Sequence, residues 1–186
     1  MYQDFTILPP TIILAPLVCY SKKRLFEELG EGAGAVLERS TYDIIHALND
    51  REWAGSTVVA DGVAIPHAKV AGKLPALAIL CLMDKKIPFN TIDSDPLDVD
   101  IAFSFYFSPE ANIEDLQLML AHLADIFDSS DLRASLRRSH HDESKVLQIL
   151  HKIDRLLVKK LKLEDDEEPA PKPAAAAAVQ DEAAEH

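Results

Sequence analysis

A chain of 186 residues with 48% hydrophobic and 6% aromatic content is long enough to bury one aliphatic core and too apolar for wholesale disorder. The net charge is −12, but the last 23 residues hold eight acids against Lys172 and so carry −7 of it, leaving the body at −5. A mildly acidic body with no basic stripe excludes nucleic acid and anionic membrane as expected partners.

The amino terminus, "MYQDFTILPPTIILAPLV", lacks a basic leader and contains no apolar run of spanning length. Neither a signal peptide nor a transmembrane helix is expected, and the chain reads as cytoplasmic, with no direct membrane insertion. The two cysteines, Cys19 and Cys81, form no framework and read as buried free thiols.

In chain order, "TIILAPLVCY" predicts a strand. "SKKRLFEELGEGAGAVLERS" predicts a helix capped by Ser21, with Leu25, Leu29 and Ala33 on one face and Gly30, Gly32 and Gly34 weakening it. "STYDIIHALNDRE" predicts a second helix, with Ser40 and Asp43 spaced like a shortened capping box. "TVVA" and "VAIP" flank Asp61-Gly62, a hairpin turn signal. The runs 76–83, "ALAILCLM", and 99–108, "VDIAFSFYFS", read as central strands covered on both faces, joined by the loop "DKKIPFNTIDSDPLD".

From Ile113 onward the spacing predicts two or three helices. Helices, then strands, then helices imply an α/β fold: a three-layer sandwich, a mixed β-sheet with helices on both faces. The expected domain is residues 1–157. Residues 158–186 are a helix end, favoured by Lys159, Lys160 and Lys162, and a disordered acidic Ala/Pro-rich tail beginning at Glu164.

Several chemistries are absent from the sequence. There is no phosphate-binding P-loop and no dinucleotide fingerprint, because "GEGAGA" lies inside a helical pattern. No bound cofactor and no metal are expected. Asp93, Asp95, Asp98 and Asp100 read as the edge of a loop and strand, and His140-His141 as a solvated loop pair. His46, His122 and His151 fall in helical patterns, where packing or surface roles suffice.

His67 differs in its context. Pro66 confines Ile65 to extended geometry, so the chain is held straight up to the histidine. An imidazole with one free nitrogen is a good nucleophile toward phosphorus, and a guanidinium such as Arg51 can hold phosphoryl oxygens in a fork. A packed strand-end histidine is the competing reading.

"REWAGSTVVADGVAIPHAKV", followed by "IDSDPLDVDIAFSFYFSPE", resembles the enzyme IIA family of the bacterial phosphoenolpyruvate-dependent phosphotransferase system, in its fructose/mannitol and nitrogen-regulatory branch. The likeness spans residues 5 to 153 and rests on R-E-x-x-G-S-T followed by A-I-P-H. It implies that His67 accepts a phosphoryl group from the histidine phosphocarrier protein, a transferase step, with Arg51 steadying the phosphate and Ser56 and Thr57 in its pocket. The partner downstream is a IIB component or, in the regulatory members, a target protein controlled by the phosphorylation state.

Two departures leave a third reading open, a degenerate fold that no longer carries phosphate. Val58 and Ala60 stand where the family has loop glycines, and Asp115 or Leu116 where it has a second histidine.

Overall fold

A computed structural model describes residues 4–89 and 97–167. Their elements, in chain order, are β1 (Thr11–Leu17), α1 (Lys22–Leu37), α2 (Thr41–Trp53), β2 (Val58–Ala60), β3 (Gly62–Ala64), β4 (His67–Lys69), β5 (Ala76–Pro88), β6 (Asp98–Phe107), α3 (Ile113–Phe127), α4 (Ser130–Ser139) and α5 (Glu143–Glu167). The six strands form one mixed sheet in the order β1-β5-β6-β3-β2, with β4 also paired to β6. Strand β5 runs parallel to β1 and antiparallel to β6, whereas β3 and β4 both run parallel to β6. The α/β sandwich with a mixed sheet is therefore as expected.

The apolar runs of β5 and β6 are continuous because both faces are covered. Along β5, Ile79 and Cys81 pack with Leu25, Leu29 and Ile44 of α1 and α2. Leu80 and Leu82, pointing the other way, pack with Leu123, Leu136 and Leu150 of α3, α4 and α5. The period of two thus feeds two cores from each strand. Both cysteines are free and buried, and burial pushes the Cys81 thiol up.

Helix α1 begins where expected, with the Ser21 hydroxyl accepting from the Arg24 N–H. Its glycines have a use beyond lowering propensity: a Cβ on Gly30 would lie 2.6 Å from Ile45 Cγ1, and one on Gly34 2.9 Å from the Arg39 carbonyl. They let α2 approach closely.

Several expectations are corrected. Ser40 occupies the cap position of α2 but its side chain makes no capping hydrogen bond. The expected loop after residue 83 begins later, because Ile87 and Pro88 still pair with Val99 and Asp98 beyond a register shift. Lys159, Lys160 and Lys162 do not end α5, which continues to Glu167, so the tail does not start at Glu164. The remainder of the expected tail, 168–186, and Asp93 and Asp95 lie outside the described residues. Among the described residues no helix is long and apolar enough to cross a membrane.

The amino-terminal segment is fastened to α5 by a buried carboxylate. The N–H groups of Thr6, Ile7 and Leu8 donate to Asp154 at 2.8, 2.8 and 2.9 Å.

Candidate functional site

The hairpin predicted at Asp61-Gly62 forms, with β2 antiparallel to β3 and Gly62 at φ +77°. A side chain there would be strained by the left-handed backbone and would also run into Arg137 Nη2. After β3, the Ile65 N–H still donates to the Thr57 carbonyl at 2.8 Å. Pro66 has no N–H to offer, and its carbonyl instead accepts from the Phe105 N–H at 2.9 Å. The chain therefore re-enters the sheet one residue later, and His67 opens β4 in register with Phe105 rather than ending a strand.

Two hydrogen bonds define the state of the half-buried His67 ring. Its Nδ1 lies 2.9 Å from the Ile65 carbonyl, which can only accept, so Nδ1 carries the proton. Its Nε2 accepts from Arg51 Nε at 2.9 Å. Both contacts require the same neutral tautomer, with the lone pair on Nε2. Burial lowers the His67 pKa from 6.5; the Ile65 bond opposes it, the Arg51 charge adds a smaller lowering, and Glu52 a still smaller rise.

Arg51 is in the last turn of α2, where a cation complements the helix dipole. Its Nη1 donates to the Gly55 carbonyl at 2.8 Å, which fixes the guanidinium between the helix end and the ring.

Of the other expected site residues, Ser56 is exposed and its hydroxyl accepts from the Val58 N–H at 3.3 Å. Thr57 is buried, and its hydroxyl proton goes to Glu52 Oε2 at 2.6 Å. Its N–H reaches the same oxygen at 3.2 Å. Glu52 Oε1 faces the Lys22 ammonium at 3.7 Å. Glu52 is thus a buried brace between α2 and β2. The R-E-x-x-G-S-T spacing was the only sign of it in the sequence, since nothing there marks a glutamate as buried.

Val58 and Ala60, at the expected glycine positions, are strand residues of β2. Leu116 is buried in the apolar cluster that also contains Phe105, whereas Asp115 is exposed. His122 is buried on the same helix, α3.

The arrangement is a neutral imidazole with the lone pair of Nε2 beside a fixed guanidinium, displayed from a mixed sheet with helices on both faces. That combination defines an α/β protein with a histidine–arginine site. Residues 6–153 match the model of the phosphoenolpyruvate-dependent sugar phosphotransferase system EIIA 2 family, and the chain belongs to that family.

A nitrogen regulatory protein of Bradyrhizobium diazoefficiens is 31% identical over 133 residues, covering 72% of this chain and 85% of the relative. The crystal structure of nitrogen regulatory protein IIA-Ntr from Neisseria meningitidis superposes with a TM-score of 0.62 at 32% identity, covering 73% of this chain and 91% of that one. The fold is also that of enzyme IIA mannitol in its complex with phosphorylated enzyme IIB mannitol from Escherichia coli, with a TM-score of 0.52 at 17% identity over 74% of this chain and 92% of that one.

Proposed function

We propose that His67 is the phosphoacceptor, taking a phosphoryl group on Nε2 from the histidine phosphocarrier protein in the cytoplasm. The observation that carries this reading is the lone pair of Nε2, oriented by the Nδ1 bond to Ile65 and met by Arg51 at 2.9 Å. In the transfer, a new N–P bond forms at Nε2 as the N–P bond of the donor breaks, in line. The Nδ1 proton stays on its bond to the Ile65 carbonyl. The Arg51 guanidinium turns from the ring nitrogen to the phosphoryl oxygens, for which its forked donors are suited.

Ser56 offers an exposed hydroxyl to the same oxygens. Thr57 contributes indirectly, because its proton is committed to Glu52 and its task is to hold the loop. The acceptor domain is residues 1–157, with 158–186 as an appendage to it.

The phosphoryl group then acts as a switch on a target protein, a reading supported by relatives at 31% and 32% identity that are nitrogen regulatory proteins. Delivery to a IIB component is the second reading, favoured by the family's description as a sugar phosphotransferase system. The test is intact mass after incubation with phosphoenolpyruvate, enzyme I and the carrier protein. A gain of about 80 Da, one phosphoryl group, is expected in the wild type and absent in His67→Ala. No gain in a folded wild type beside a working positive control would leave a binding module that carries no phosphate.

A further inference from the structure

The carboxyl end of α4 and the middle of β5 bring together donors that the His67 site does not use. Asp84 is exposed on β5, His140 is the half-buried residue that ends α4, and His141 follows it, exposed. One ligand atom from each lies within 4.8 Å of the others.

His140 is already oriented. Its Nδ1 is 2.6 Å from the Arg137 carbonyl, so Nδ1 bears the proton and, in the neutral ring, Nε2 is a lone pair. That lone pair faces Asp84 Oδ1 at 3.4 Å. Two acceptors turned toward each other need a cation between them, either a proton on Nε2 or a metal ion.

The distance fits the second more closely. A charge-assisted N–H···O bond closes to about 2.7–2.9 Å. Two ligands held at about 2.0–2.1 Å around a tetrahedral zinc ion lie roughly 3.3–3.4 Å apart. An imidazole whose other nitrogen donates to a backbone carbonyl is also the usual form of a metal-ligating histidine.

A cleft of about 140 Å³, lined by Met83, Asp84, Asp100, Arg137 and His140, opens beside the pair and gives an ion access and room for water. The Arg137 charge in that cleft is balanced by Asp100, bound through Nε and Nη2 at 2.8 Å each.

We propose that Asp84, His140 and His141 bind one divalent cation of the zinc class, with a fourth position open to water. Two imidazoles and one carboxylate suit zinc, nickel or copper, whereas calcium and magnesium call for oxygen ligands. His141, exposed and with its ring 3.9 Å from that of His140, supplies the third ligand. The ion would join the end of α4 to β5, and by binding the folded chain it raises the unfolding midpoint.

The full-length protein, stripped with a chelator and dialysed, is titrated with Zn²⁺ by calorimetry, and its thermal midpoint is followed in parallel. One equivalent is expected to bind the wild type and raise the midpoint. Asp84→Asn and His140→Gln are each expected to weaken binding at least about tenfold and to remove the rise, while His46→Gln changes neither. His141→Gln is expected to give the same loss, its side chain being exposed and touching α4 only through the His140 ring, and circular dichroism of the metal-free variants verifies their fold. A wild type with no saturable equivalent overturns the proposal in favour of a protonated His140–Asp84 ion pair. Binding that the three ligand variants leave unchanged overturns it in favour of adventitious sites elsewhere.

Discussion

Burial and the neighbouring guanidinium both disfavour a second proton on His67, burial more strongly, so its titration lies below 6.5. In the unfolded chain the same imidazole titrates near 6.5. Above that value the ring is neutral in both states and its contribution to stability is complete. As the pH falls through the lowered folded value, the unfolded chain binds the proton more readily and stability is lost. The unfolding free energy of the wild type should therefore fall more steeply below pH 6.5 than that of His67→Gln, measured by urea titration.

Replacing Arg51 by alanine removes the guanidinium that we propose receives the transferred group. A loss of about 10²-fold in phosphorylation rate is expected, the usual effect of removing a preorganised donor. That His67 and Arg51 lie together, joined at 2.9 Å, was legible from the resemblance carried by R-E-x-x-G-S-T and I-P-H. The Glu52 brace was not, because it depends on burial that arises only when α2 packs beside β2.

Gly30 and Gly32 are two residues apart on α1 and respond to opposite demands. Alanine is better than glycine in a helix by about 0.8–1 kcal/mol. At Gly30 a methyl group would meet Ile45 Cγ1 at 2.6 Å and the Thr41 carbonyl at 3.1 Å, and overpacking of this kind costs about 1–3 kcal/mol. At Gly32 it meets only Ile79 Cδ1, at 3.2 Å. Gly30→Ala should therefore destabilise, by up to about 2 kcal/mol, while Gly32→Ala should stay within about 0.5 kcal/mol of wild type in denaturant unfolding. The glycine spacing showed that the helix was weakened, but not which face met α2. Strand lengths were hidden for a related reason. Asp84, Lys85 and Lys86 are exposed and read as a loop, yet β5 continues through them because Ile87 is buried and pairs with Val99. Strand β4 is three residues long and carries no periodicity, and it exists because β6 offers it an edge.

At the scale of the molecule, β5 and β6 form a wall common to two apolar clusters, one of which ends at Tyr106 and the other at Leu157 among the described residues. Asp154→Ala leaves three backbone donors without their charged acceptor and should cost about 2–4 kcal/mol.

That carboxylate also orders events in time. A chain made from its amino end exposes Thr6, Ile7 and Leu8 well before their acceptor, 146 to 148 residues later, has been made. That segment is therefore secured only once α5 has formed. A fraying of α5 near Asp154 will release residues 6 to 8 with it, so the two segments are exposed to proteases together.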